Sequence, residues 1–346
     1  MRTITLLFYV APALFLALGC APDAGTTDPT RADGLELLPE SARLAAWSTP
    51  GNLGSINLPT ATDQHPTLSK DGLSLYFASN RQTGDQNIWV AQRACADPAI
   101  PACAWGVPEM LDAPVNSSSL DVAPALSRDE HWLFFTSQRG GDAPRWEGDL
   151  CTSAPCDRDL WVSYRRDVHE LAWEPPVNLG APLNSNAEEV APSYFENEES
   201  GLPQLFFNDG VLNASGVLVL GNIFVSEMLP DGKWGERSPV SDVNPDEVNT
   251  SCSDQRPSIS YDGLELYFHS TRPCPNGVPG VAHVWVSTRQ RVGDAWPAPT
   301  LWPNPTSNEP AIHPFIHSHG KTETLLFVRG GDILMSQRTF GASGSD

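Results

Sequence analysis

An all-β fold made of five copies of one four-stranded unit is predicted by three observations. The chain repeats a short motif five times, its apolar runs are strand-length with no sustained helical periodicity, and Pro, Gly and Trp punctuate those runs throughout. The clearest copy runs from His65 to Arg81, His-Pro-Thr-Leu-Ser-Lys-Asp-Gly-Leu-Ser-Leu-Tyr-Phe-Ala-Ser-Asn-Arg, and is followed by Asn-Ile-Trp-Val-Ala-Gln-Arg ending at Arg93. Copies begin again at Ala123 and Arg256, and two degraded ones at Ala191 and His313. The prolines Pro66, Pro124, Pro192, Pro257 and Pro314 recur at intervals of 58, 68, 65 and 57 residues. A bare propeller blade needs about 40 to 45, so each copy carries loop insertions.

Within a copy, a first strand leads through an Asp-Gly turn (Asp71-Gly72, Asp262-Gly263) into a Leu-x-Tyr-Phe strand, and then into an Ile-Trp-Val strand. A fourth strand is expected to start at a Trp-x-x-Pro signature at Trp105, Trp173, Trp234 and Trp296. Trp47 supplies a fifth signature with no blade before it, and the last copy ends soon after Arg338 without a fourth strand. The simplest accounting gives the Trp47 segment to the last blade, so that the two ends of the chain close a ring and leave no open sheet edge. The prediction is therefore a five-bladed β-propeller of four-stranded antiparallel blades, spanning residues 43-340 and closed by the N-terminal strand.

These motifs resemble the TolB-like, Trp-Asp-type β-propeller repeat family, through the core Pro-x-Leu-Ser-x-Asp-Gly-x-x-Leu-x-Phe-x-Ser. The resemblance covers about Trp47 to Arg338 and implies the fold, not an activity, because such propellers serve as scaffolds, binding modules and accessory domains.

Residues outside the repeats speak to location. Arg2, an apolar run from Leu6 to Leu18 and the small-residue end Ala17-Leu18-Gly19-Cys20 read as a lipoprotein-type signal peptide over 1-19, with Cys20 as the lipidation site. Residues 20-42 read as a flexible tether and 341-346 as a disordered tail. Export and lipid anchoring in a bacterial envelope are expected, the outer membrane or periplasm being favoured, with the membrane touched through the lipid alone. Six further cysteines form local pairs, Cys95 with Cys103, Cys151 with Cys156 and Cys252 with Cys274, which an oxidising compartment would turn into disulfides.

The formal net charge of -21 argues against nucleic acid as a partner. No metal-ligand spacing, nucleophile elbow or phosphate-binding loop is present, so no catalytic residue, metal or cofactor is assigned. Candidate ligand-binding residues come from the repeat itself. Asp63, Asp121, Glu189 and Asp254 each stand three residues before a blade proline, and Glu309 fills the place in blade five if two residues are inserted. His65, Arg256 and His313, next to the prolines, belong to the same rim. Arg81, Arg139 and Arg272 end the neighbouring strands and are placed to pair with Asp63, Asp121 and Asp254; Glu189, whose blade lacks that arginine, is the acid most open to a ligand. The function expected is a binding or scaffold module, a monomer engaging a protein or glycan of the cell envelope. The alternative is a glycoside hydrolase-like enzyme using carboxylates at the mouth of the central funnel.

Overall fold

A computed structural model describes residues 45–82, 84–96, 101–140, 157–241, 247–273, 280–303 and 309–339. Five four-stranded antiparallel sheets follow one another along the chain. Blade one holds β2 (Asp63–Leu68), β3 (Ser74–Ser79), β4 (Asn87–Gln92) and β5 (Glu109–Met110). Blade two holds β6 (Asp121–Leu126), β7 (Trp132–Ser137), β8 (Asp159–Tyr164) and β9 (Val177–Asn178). Blade three holds β10 (Val190–Asn197), β11 (Leu202–Asn208), β14 (Ile223–Glu227) and β15 (Ser238–Pro239), with a small hairpin of β12 (Val211–Leu212) and β13 (Leu218–Val219) between its second and third strands. Blade four holds β16 (Asp254–Ile259), β17 (Glu265–Ser270), β18 (His283–Thr288) and β19 (Thr300–Leu301). Blade five, β20 (Ile312–His319), β21 (Thr322–Arg329) and β22 (Asp332–Thr339), takes its outer strand from β1 (Gly51–Asn52). The ring is closed by the N-terminal strand, as the unmatched Trp47 signature predicts.

The outer strands begin later than the sequence suggests. Each pairs over two residues and starts four residues beyond its tryptophan. The indoles themselves cap the blade. In four blades the arginine that ends the third strand lies over that indole: Arg93 on Trp105 at 4.3 Å, Arg165 on Trp173 at 4.6 Å, Arg289 on Trp296 at 4.0 Å and Arg338 on Trp47 at 4.5 Å. Blade three has Met228 in that place and bridges it to Trp234 through the backbone.

The repeated Leu-Ser-x-Asp-Gly is the first hairpin turn of a blade. Ser69 Oγ donates to Asp71 Oδ1 at 2.6 Å, and that carboxylate and hydroxyl accept the amides of Leu73 and Ser74. Gly72 takes φ +70° to complete the turn. Ser127-Asp129 and Ser260-Asp262 repeat the arrangement, with Glu130 accepting the left-handed conformation (φ 62°) in place of glycine. The core lies between neighbouring sheets, where Phe77, Phe135, Phe268 and Phe327 are fully buried.

Asparagines, three of them buried, fasten four of the interblade loops. Asn116, Asn184, Asn249 and Asn57 accept an amide from the third strand of a blade and donate to a carbonyl of the same residue, Ile88, Leu160, Ile223 and Ile333 respectively. A side-chain amide mimics one more rung of the sheet at each of these junctions.

Candidate functional site: the axial funnel

The first strand of every blade lines the axis, and every one carries the same irregularity. Register slips between Gln64 and Thr67, Val122 and Ala125, Val190 and Ser193, Gln255 and Ser258, and Ile312 and Phe315. In each bulge the residue before the proline adopts a left-handed backbone: His65 (φ 54°), Ala123 (54°), Ala191 (57°), Arg256 (59°) and His313 (52°). A non-glycine residue preceding proline is held there only when the surroundings over-determine it. These bulges form the waist of the funnel.

A cavity opens on each side of the waist. On the face where the first strands begin it measures about 560 Å³, and the segments Gly216–Leu220 and Ser251–Ser253 wall it together with Gln64, Gln86, Arg158 and Gln255. On the other face the cavity measures about 160 Å³ and follows the second halves of the first strands. His65, Arg256 and His313 border both.

The rim acids are oriented away from this space. Asp63, Asp121, Glu189 and Asp254 are all fully buried. Asp63 pairs with Arg81 at 2.6 Å, Asp121 with Arg139 at 2.6 Å and Asp254 with Arg272 at 2.7 Å. Each guanidinium also lies over two rings, as Arg272 does over Phe268 and Trp285, and donates to carbonyls of the incoming loop. The other carboxylate oxygen accepts loop amides: Leu58 for Asp63, Ser117 for Asp121 and Thr250 for Asp254. Glu189 is not left open. Arg237, from the loop before β15, reaches it at 2.7 Å, stacks on Phe224 and so replaces the arginine missing at the end of β11. Burial pushes the Glu189 carboxyl up to about 7, against the pull of Ser185 and Arg237. In blade five the register of these acids is held by Ala311, whose amide donates to Ala282 as that of Asp254 does to Gly221. Glu309, two residues earlier, is largely exposed and lies 3.4 Å from Arg329.

The waist carries a different chemistry, which the repeat pattern does not single out as a cluster. The ring centroids of His65 and His313 lie 4.1 Å apart with the planes tilted by 39°, and His269 lies 5.4 Å from His313. His269 comes from β17, where it pairs with Gln255 across the ladder, and its Nδ1 accepts the His313 amide at 3.4 Å. Both ring nitrogens of His65, Nδ1 of His313, and Nε and Nη1 of Arg256 are buried without a hydrogen-bond partner. Burial first, then the neighbouring Arg256, holds His269 at about 3; burial and adjacent cations likewise hold His65 and His313 well below the ordinary imidazole range. Burial lowers Arg256 to about 9, which leaves it cationic at neutral pH. Among the described residues, no group of His, Cys, Asp or Glu is arranged to hold a metal ion.

Of the cysteine pairs, Cys95–Cys103 forms a disulfide, and Cys252, bordering the larger cavity, is disulfide-bonded. Cys20, Cys151, Cys156 and Cys274 lie outside the described residues, as do the signal peptide and tether. Among the described residues no helix is long and apolar enough to cross a membrane.

No family model and no curated protein matches the sequence. Solved structures do match. An α-L-arabinofuranosidase from Podospora anserina in complex with cellotriose superposes with a TM-score of 0.56 at 13% identity, covering 87% of this chain and 98% of that one. A GH62 hydrolase in complex with xylotriose gives 0.55 at 14% identity, covering 85% and 97%. The inulosucrase from Halalkalicoccus jeotgali bound to kestose gives 0.51 at 14%, covering 83% and 80%. At these identities the likeness is one of fold alone: the chain is a five-bladed β-propeller similar in shape to these structures. The resemblance to TolB-like repeats is thereby corrected. Its core motif encodes the bulge before the proline and the Ser-Asp-Gly turn, which build the first hairpin of a blade here and so do not distinguish one propeller family from another.

Proposed function

We propose that this protein is carbohydrate-directed, and that a sugar chain enters the funnel through the larger cavity. The observation that carries the reading is the lining of that cavity. Side-chain amides of Gln64, Gln86 and Gln255 stand beside imidazoles and guanidinium groups, a set of donors and acceptors suited to hydroxyls, in a space of about 560 Å³. Support comes from the shared architecture, since propellers of this shape have been solved with cellotriose, xylotriose and kestose.

Recognition without hydrolysis is the form of this reading that the lining favours. Glycoside hydrolysis by the usual route needs two carboxyl groups flanking the scissile bond. None of the described residues lining the larger cavity is Asp or Glu. A hydrolytic reading is favoured by the architecture of the matching structures, and it has one local candidate. Glu188, behind the lining residue Arg158, accepts the Arg158 amide at 3.1 Å, and burial raises its carboxyl above the ordinary range.

A panel of neutral and acidic plant and bacterial oligosaccharides, followed by calorimetry and product analysis, tests both forms. Binding without product release supports recognition. Turnover that Glu188→Gln abolishes while leaving binding intact establishes hydrolysis. The absence of binding to any sugar would move the function to a protein partner.

We also propose export with a lipid on Cys20, on the strength of the leader pattern alone. Metabolic labelling with a fatty acid, lost in Cys20→Ser, tests it.

A further inference from the structure

All five bulges at the waist have the same backbone, and alanine suffices for it in two of them, Ala123 and Ala191. The side chains of His65, Arg256 and His313 are therefore not needed to form the bulge. They belong to blades one, four and five, which are consecutive around the ring, because β20 of blade five packs against both β2 and β16. Three of the five waist positions, forming a half-ring of consecutive blades, thus carry imidazole or guanidinium, and the other two carry methyl groups.

The two histidines of this half-ring are more than nine-tenths buried, yet both ring nitrogens of His65, Nδ1 of His313 and two guanidinium nitrogens of Arg256 lack partners in the protein. Buried donors without acceptors cost free energy unless something outside the chain satisfies them. The groups facing one another here are His65, His269, His313, Arg256 and Arg158, and the electrostatic influences on the three imidazoles all come from members of this set. The Glu188 carboxylate lies 3.7 Å from Arg158 Nε and does not line the cavity. The half-ring thus offers unspent hydrogen-bond donors, a net positive charge from Arg256, and access from both cavities.

We propose that the waist is an oxyanion site that receives the carboxylate of an acidic sugar residue. This rests on the reading of the funnel as a sugar-binding space and names the class of sugar. A planar carboxylate accepts from the Arg256 fork and from imidazole N–H groups, which turns each orphaned donor into a charge-assisted hydrogen bond. A neutral hydroxymethyl group at the same place satisfies fewer of them and leaves the charge unanswered.

The test compares trigalacturonate, its methyl ester and inorganic sulfate by calorimetry on wild-type protein and on Arg256→Ala. Alanine is native to this bulge in two blades, so the variant keeps the local backbone; circular dichroism and thermal unfolding check the fold. The expected result is binding of the acid at least about tenfold tighter than the ester, a preference abolished in Arg256→Ala. Equal binding of acid and ester to wild-type protein overturns the oxyanion site and leaves the sugar reading intact. Binding of sulfate alone, lost in Arg256→Ala, sustains the anion site and removes its sugar. No binding of any of the three overturns both.

Discussion

Arg272 and Asp254 meet at 2.7 Å with both side chains withdrawn from solvent, and the guanidinium lies over the rings of Phe268 and Trp285. The pair clamps the start of the first strand to the end of the second and holds the incoming loop through Glu247 and Val248. Removing one partner strands a buried charge. Arg272→Ala is therefore expected to lower stability by about 3–5 kcal/mol in chemical denaturation. The double variant with Asp254→Ala should recover part of that loss, and strictly additive costs would show that the pair is not coupled.

The outer strand of blade five depends on Trp47, which contacts Trp302 at 6.0 Å and Tyr267 at 6.5 Å beneath Arg338. Trp47→Ala should cost about 3–5 kcal/mol. Hydrogen exchange should accelerate in β22 before it does in β4 or β8, because the lost contact secures the closing strand. Uniform acceleration in all five blades would contradict this assignment.

Gly263 illustrates a position where both backbone and space are committed. It holds φ +72°, and a Cβ there would sit 2.3 Å from the Phe195 ring of the neighbouring blade. Gly263→Ala should destabilise by about 1–3 kcal/mol or more through strain and overpacking. Gly320→Ala, at φ +59° with open space around it, should show the backbone cost alone. Thermal unfolding of the two variants separates the effects.

Acid should weaken the fold through the waist. His269 in the folded protein releases its proton at about 3, against 6.5 for a free ring. Between those values the unfolded chain binds more protons, so stability falls as pH drops below about 6.5, by about 2 kcal/mol at pH 5 for this one residue. Glu189 acts in the opposite sense. Its raised carboxyl favours the folded state below the ordinary glutamate range, and that contribution fades as pH rises through about 7. Urea titrations of His269→Gln and wild type between pH 5 and 7 should converge at the lower pH; parallel curves would remove His269 as the source.

The repeat was legible because each of its letters performs a local task. The proline marks the bulge, Ser and Asp build the turn, and the extra Trp47 announces a strand with no blade of its own. The acid and arginine register was visible as well, since strand pairing alone places Arg81 beside Asp63. Arg237 was hidden because it reaches Glu189 from the opposite edge of its blade, 48 residues away, with no counterpart in the other repeats. The waist was hidden for a similar reason. His269 joins His65 and His313 only through the register of β16 on β17 and the packing of separate blades, which spacing along the chain does not encode. The resemblance to one repeat family went astray where the motif described hairpin geometry and nothing that lines the axis.

The seam between β1 and β22 joins the two ends of the polypeptide through two residue pairs, reinforced by the Ala45 and Ser48 contacts to Thr339 and Gln337. A pull applied at Ala45 reaches that seam before it reaches blades one to four. Mechanical failure is then expected to begin as an unlatching that turns the circle into an open arc, so that the waist is lost before the individual sheets are.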